Sequence, residues 1–431
     1  MLDQGFSSKN LLRHCRKADV PTYRMKFKQL EAVANSLSSV IEAGSFVPIP
    51  FSMRRTKGFT VYSTNDYANI LALRKINDTI RRLFRIKQSD RGAIVRQVFA
   101  LLAESTPKAV LRLDIKSFYD NVDRDRLLSS MRQNHLLSHT TKKLLQQFLS
   151  TAFPSLGRGL PRGACISASL AEFAMREFDA AVSAIDGVYF YARYVDDIVI
   201  FTVKDPYALF AAVEGQLPSG MCLNKSKSAA PFRVEDCRCS IRCRCIGLCA
   251  CRNKCLCKAQ DAPLNRMDFL GYRFAFPKVT ARPYDKGQPI DISIAKAKIS
   301  RIKTRIIKAF RDFAREPDYM LLRDRIRFLT ENHFVKTKSS GQRIKSGIYY
   351  NYRLIEKSRG DSEVMEELDD FLKRAIFSTK GPFSAALSTN LSVGQRGDLA
   401  ILSFSSGFRH RRLAKLTSTR MHEAKECWRD E

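Results

Sequence analysis

Nowhere in the 431 residues is there an uninterrupted apolar run of the roughly 18–20 residues that a membrane-spanning helix needs. No membrane is therefore expected among the partners. The start, Met1-Leu2-Asp3-Gln4, has neither the basic region nor the apolar stretch of a secretory signal, so the chain is expected to stay in the cytoplasm. Thiols remain reduced there, and the twelve cysteines do not read as a disulfide framework. Acid is scarce as well: 43 Asp and Glu stand against 74 Lys and Arg, a formal net charge of +31. A surplus of that size repels itself in the compact state and is usually kept because it attracts a polyanion. Nucleic acid is the leading partner.

What is present allows a large packed core. Hydrophobic residues make up 45% and charged residues 27%, and the length suits two or three domains. The first sixty residues mix short apolar runs with Gly, Ser and Pro and carry no clear motif. Residues 69–103 look helical and strongly basic, with Arg74, Lys75, Arg81, Arg82, Arg85, Lys87, Arg91 and Arg96 spread through them. A short apolar strand, Ala109-Val110-Leu111-Arg112-Leu113, ends in Asp114. Apolar residues at 170, 174, 178, 182 and 185 predict one buried helical face. Residues 188–203 read as two aromatic and β-branched strands around a polar turn. After Ile290, Ile299, Ile302, Ile306, Phe310 and Phe313 recur at steps of three and four among Lys and Arg, predicting a basic amphipathic helix. A second basic run follows at residues 409–415. Such runs are often solvated faces, but the excess charge of the whole chain favours contact with phosphates.

The most informative segment is Tyr194-Val195-Asp196-Asp197 between the two strands of that hairpin. Adjacent aspartates are costly to bury unpaired. At a turn both can face one site, and as anions they repel unless a cation lies between them. Hard oxygen ligands suit Mg²⁺. An ordinary polar turn would use the same residue type. Asp114, delivered by a separate strand, breaks that tie, because a two-metal centre for phosphoryl transfer needs carboxylates from separate segments. Between them, Gly159-Leu160-Pro161-Arg162-Gly163-Ala164-Cys165-Ile166-Ser167 is a Pro/Gly turn that lets backbone approach a ligand closely.

In their order, five segments resemble palm motifs A to E of the reverse transcriptases. They are Asp114 with Phe118-Tyr119, Gly159-Leu160-Pro161-Arg162-Gly163, Tyr194-Val195-Asp196-Asp197, Leu223-Asn224-Lys225-Ser226-Lys227 and Phe269-Leu270-Gly271-Tyr272. The resemblance implies an α+β fold: a right-hand polymerase with fingers, a ferredoxin-like palm and a helical C-terminal thumb. The expected divisions are an N-terminal region and fingers at 1–105, a palm at 106–285 with a Cys-rich insert at 231–262, and a basic helical thumb and C-terminal region at 286–431.

It also implies roles. Asp114 and Asp196 would ligate two Mg²⁺ ions, with Asp197 the third carboxylate and the Ile115 carbonyl a backbone ligand. Tyr119 falls at the steric-gate position, where an aromatic ring excludes a ribose 2′-hydroxyl and favours deoxynucleotides. Lys227 matches the lysine that protonates the pyrophosphate leaving group, with Lys225 as the fallback. Arg91 and Arg96 are candidates for triphosphate contacts, with Arg162 and Gly163 beside the nucleotide. Phe269, Leu270, Gly271 and Tyr272 would form the primer grip.

The sequence departs from the family pattern in motif B. Arg162 stands where Gln is usual and Ser167-Ala168 where Ser-Pro is usual, which puts extra positive charge beside the nucleotide. No RNase H, integrase or Cys/His endonuclease signature is found. The compact polymerase, with Phe-Tyr-Asp-Asn-Val-Asp after motif A, is most similar to prokaryotic defence-associated reverse transcriptases. That likeness implies antiviral DNA synthesis on a non-coding RNA template, with dNTPs as substrates and DNA as product. A second reverse transcriptase subunit or a homo-oligomer is the implied assembly.

Eight cysteines crowd into residues 237–257 as Cys237-x-Cys239, Cys243-x-Cys245, Cys249-x-Cys251 and Cys255-x-Cys257. Four sulfurs make one tetrahedral Zn²⁺ site, and eight could hold two ions or a shared-sulfur cluster. A cysteine-rich loop whose arginines meet phosphate is the alternative. For the chain as a whole two rivals to an active RNA-directed DNA polymerase stand: a catalytically vestigial RNA-binding module with the same fold, and an RNA-directed RNA polymerase.

Overall fold

The computed structural model describes residues 2–56, 58–235, 264–278, 290–336, 343–357, 361–381 and 383–429. The eight clustered cysteines, and residues 236–262 of the expected insert, lie outside these residues. The chain divides into two compact units. Among the described residues, the first holds those within 2–94 and 108–232, and the second those within 95–107 and 233–429. The first boundary falls within the helix Arg91–Ala103. Among the described residues no helix is long and apolar enough to cross a membrane.

The first unit is built on an antiparallel sheet. Val188–Tyr194 pairs with Asp197–Thr202, which pairs in turn with Lys108–Asp114. Ile198, Val199, Ile200, Phe201 and Thr202 are all buried. A strand apolar on both faces has a layer on each, which is why this one sits in the middle and carries no alternation. Helices cover the sheet. The stripe predicted between residues 170 and 185 is present, but as two helices, Ser167–Ala174 and Arg176–Ser183, that meet at buried Met175.

The N-terminal residues add three helices (Ser8–Leu12, Asp19–Tyr23 and Phe27–Glu42) and a hairpin, Ser52–Thr56 with Phe59–Ser63. The basic stretch at 69–103 forms two helices, Tyr67–Leu83 and Arg91–Ala103, and not all of its charge faces solvent. Arg74 forms a fork with buried Asp19 at 2.6 and 2.7 Å, and Lys75 donates to the Asp3 carbonyl oxygen at 2.8 Å. Those two cations serve the core, where an unpaired charge would be costly. Arg81 and Arg82, a turn further on, are exposed.

In the second unit Leu264–Phe269, Tyr272–Pro277 and Asp291–Ile294 form a three-stranded antiparallel sheet. Every second residue is buried: Met267 and Phe269, Tyr272, Phe274 and Phe276, then Ile292 and Ile294. The register aligns them across the sheet, with Phe269 opposite Tyr272 and Tyr272 opposite Ile294, so one face is continuous and apolar. The helix expected after Ile290 is Lys296–Arg315. It buries Ile306, Ala309, Phe310 and Phe313, while Ile299 and Ile302 are half-buried. Tyr319–Thr330 and Asp361–Ile376 pack on it, and a hairpin, Asn332–Lys336 with Arg343–Gly347, interrupts the helical region. The basic run at 409–415 is partly used within the unit, since Arg409 pairs with Glu366 and Arg411 with Glu356.

Candidate active site

Asp114 is the last residue of its strand and lies directly opposite Asp197 in the ladder. Tyr194 is paired with Asp197, so Val195 and Asp196 alone form the turn. Ile115 N–H donates to the Asp196 carbonyl oxygen at 3.0 Å, which ties the turn to the end of the neighbouring strand. Val195 holds a left-handed φ of 61°, an uncommon conformation for a β-branched residue. The brace that fixes it is Arg193, whose side chain is 3% exposed. Its guanidinium donates to the Val195 carbonyl oxygen at 3.0 Å, to Glu172 at 2.8 and 3.2 Å, and to Asp179 at 2.7 and 2.8 Å. Tyr191 O–H completes the network on Asp179 at 2.6 Å.

Burial pushes the Asp196 carboxyl above its ordinary range, and the charge on Asp114 adds to the push. Asp197 is pushed up to about 6, first by burial and then by the charge on Asp196, with Arg112 opposing. Mutual repulsion of this kind is what a bound cation relieves. Asp114 Oδ1 is buried without a hydrogen-bond partner. These are hard oxygen donors with an unsatisfied atom among them, and in kind they fit Mg²⁺. Among the described residues, no three His, Cys, Asp or Glu side chains are gathered to hold one ion. Two cations of the protein reach the carboxylates instead: Lys227 Nζ is 3.4 Å from Asp114 Oδ2, and Arg112 is 3.7 Å from Asp197 Oδ1.

The segment carrying Lys227 runs beside the Asp114 strand and is fastened to it by main-chain bonds. Lys116 N–H donates to Cys222 O at 3.0 Å, Asn224 N–H to Asp114 O at 2.7 Å, and Ala229 N–H to Arg112 O at 3.1 Å. Asp114 N–H donates to Ser228 Oγ at 3.2 Å, and Arg112 donates to the Lys227 carbonyl oxygen at 3.0 Å. Lys225 is exposed.

A cavity of about 390 Å³ is lined by Tyr119, Arg162, Gly163, Ala164, Ser167 and Ala168, with Thr56, Phe59 and Val61 from the N-terminal hairpin. Tyr119 lies among the expected neighbours, its hydroxyl pKa raised by burial. The glycines of the motif allow close backbone approach. A Cβ on Gly159 would lie 2.3 Å from the Tyr119 carbonyl oxygen, and one on Gly163 would lie 2.4 Å from that of Tyr62. Tyr62 N–H donates to the Arg162 carbonyl oxygen at 2.8 Å, so the hairpin is stitched to the loop. Phe59, Arg112 and Arg193 were not nominated from sequence. Phe59 lies in a short Phe-Thr-Val-Tyr run whose only local signal is a turn glycine at Gly58, and the two arginines read as solvent-facing strand positions.

Arg91 is half-buried in the first turn of its helix, and Arg96 is exposed and belongs to the second unit. Phe269, Leu270, Gly271 and Tyr272 form a tight hairpin in the second unit, with Phe269 and Tyr272 paired and positive φ at Leu270 (46°) and Gly271 (83°). Positive φ at both turn positions is the signature of the favoured two-residue hairpin.

Residues 64–274 match the model of a protein family described as reverse transcriptase (RNA-dependent DNA polymerase). That segment is similar to a reverse transcriptase domain, and the fold around it is mixed α+β. No curated protein matches the chain. Among solved structures, apo telomerase from Candida tropicalis lacking its C-terminal domain is 13% identical, with a TM-score of 0.36 over 62% of this chain and 60% of that one. The apo telomerase without that truncation is 10% identical, with a TM-score of 0.37 over 85% and 62%. Telomerase from Candida albicans, in complex with a fragment of telomeric RNA, is 12% identical, with a TM-score of 0.33 over 83% and 53%. The chain thus spans between 53% and 62% of the length of these three telomerase chains. At such scores the likeness carries no further argument.

Proposed function

We propose that the chain is an active RNA-directed DNA polymerase that adds deoxynucleotides to a DNA strand copied from RNA. The observation that supports this best is the pairing of Asp114 with Asp197 at one end of the sheet, with Asp196 in the adjoining turn and a buried oxygen of Asp114 unsatisfied. A binding module would gain nothing from three carboxylates, which repel phosphates.

In this reading Asp114, Asp196, Asp197 and the Ile115 carbonyl hold two Mg²⁺ ions. The metal supplies activation of the attacking hydroxyl and neutralises charge on the leaving group. The protein positions these groups. Arg193 fixes the turn, the main-chain bonds of residues 222–229 hold Lys227 beside Asp114, and Lys227 donates a proton to the departing pyrophosphate. Tyr119 closes the sugar side of the cavity and favours deoxyribose over ribose. Arg91 and Arg96 meet the triphosphate, and the Phe269–Tyr272 turn grips the primer. The proposed palm spans residues 106–285, between the fingers and a thumb that begins at 286. Antiviral defence with a non-coding RNA, a companion reverse transcriptase subunit and a cytoplasmic setting rest on the sequence resemblance and complete the proposal. So does Zn²⁺ at the eight cysteines, which a metal assay on the purified chain tests.

The deciding experiment is incorporation on a primed RNA template, comparing dNTPs with NTPs and Mg²⁺ with EDTA. Asp196→Asn should lower dNTP incorporation at least about 100-fold, the scale of losing one electrostatic stabiliser, while RNA affinity is kept. Incorporation that survives the substitution, or equal use of NTPs, overturns the reading.

A further inference from the structure

Arg162 faces the cavity beside Tyr119, yet its charge is not free. Its Nη2 is 2.8 Å and its Nε 3.3 Å from the two carboxylate oxygens of Asp120. Its guanidinium also lies 4.1 Å from the centre of the Phe59 ring and 5.4 Å from that of Tyr119. A guanidinium stacked between two rings is held in orientation at little entropic cost, because its planar fork is already organised. Asp120 takes both prongs of that fork. The arginine is aimed, and it is partly neutralised.

Asp120 is a one-sided partner. It is about half exposed, and water can replace the arginine as its hydrogen-bond donor. Arg162 side-chain exposure is only 24%, and Phe59 and Tyr119 leave it little room to move away. An anion entering the cavity therefore meets an arginine that can exchange one carboxylate for a phosphate without leaving its stack. A nucleoside triphosphate, with several negative charges and fork-compatible oxygens, is the chemistry that wins such an exchange.

We propose that Asp120 competes with the phosphates of the incoming nucleotide for Arg162, and that the Asp120–Arg162 pair thereby sets nucleotide affinity. This rests on the polymerase reading above. The departure of this motif from the usual glutamine then has a counterpart in Asp120, the residue after Tyr119. Arg162 contacts the substrate, and Asp120 tunes it from behind.

The test uses the full chain in the same incorporation assay. Asp120→Asn keeps the size of the side chain and removes its charge. It should lower KM for a dNTP by about threefold, the worth of one exposed ion pair. Arg162→Met should raise KM, and the double variant should match Arg162→Met, because without the arginine Asp120 has nothing to withhold. Inorganic tripolyphosphate, used as a competing inhibitor, should bind more tightly to Asp120→Asn than to the parent, which separates phosphate recognition from contact with sugar or base. A KM that rises in Asp120→Asn as it does in Arg162→Met would show that Asp120 merely holds the arginine, and the proposal would fall. An unchanged tripolyphosphate inhibition would overturn it too. If the parent chain incorporates nothing, it is the polymerase reading that has failed, and tripolyphosphate affinity measured at equilibrium still decides the competition.

Discussion

Two tight hairpins, one in each unit, solve the same geometric problem in opposite ways. Leu270-Gly271 and Val195-Asp196 are both two-residue turns whose first residue has positive φ. At Leu270-Gly271 the second residue is a glycine, which adopts that backbone freely, and the turn is favoured locally. At Val195-Asp196 local preference runs the other way. A β-branched residue is forced into the left-handed region and two acids follow it, so the conformation must be imposed by Arg193, Glu172, Asp179 and the Ile115 N–H. The lesson is that the acidic turn depends on its buried brace, whereas the other turn has a glycine at one of its two positive-φ positions and takes a single main-chain bond from Ala295 N–H to the Gly271 oxygen at 3.1 Å.

The sharpest way to break the comparison is to remove the brace. Arg193→Met strands Glu172 and Asp179 as half-buried anions. It should destabilise the chain by about 3–5 kcal/mol, as expected when one partner of a buried ionic network is lost. Denaturant melts check this, and any folded remainder should be inactive because the acidic turn is released. Acid provides the second contrast. In the first unit buried Arg193 is saturated by carboxylates, whereas in the second His333 is buried, stacked on Phe328 at 4.2 Å, with its Nδ1 unpartnered. Burial lowers its pKa from 6.5 to about 4. The unfolded chain then binds the proton first, so this stability is full above pH 6.5 and is lost as pH falls toward 4, by about 3 kcal/mol. Melts of His333→Phe should lack that slope. The smallest effect is expected at the Leu270-Gly271 turn. Gly271→Ala, at φ 83°, should cost about 1–2 kcal/mol in backbone strain, again read from melts.

Much of this site could be read from sequence because its signals are local. An apolar run ending in an aspartate marks a strand end, and two acids between aromatic strands mark a turn, so the placement of Asp114 beside Asp197 follows from short-range pattern plus pairing. What could not be read depends on contacts distant along the chain. Arg193 sits between aromatic residues and looks like an outward strand position until Glu172 and Asp179 come down on it from the helices. Phe59 joins the cavity only because Tyr62 bonds to Arg162, a hundred residues away. Arg74 and Lys75 count toward a basic face until Asp19 and the Asp3 carbonyl claim them. The helical stripe at 170–185 was legible, but its break at Met175 was not, since the apolar spacing runs through the joint unchanged.

The strap formed by residues 222–229 has a mechanical consequence. It carries the proposed proton donor yet forms no continuous ladder with the Asp114 strand, only spaced fastenings on alternate sides of the acid. Its fastenings at Asp114 and Arg112 bind the lysine and the aspartate to one backbone frame. Slippage by a single residue would carry Lys227 away from Asp114, so the positions of the two side chains are set together.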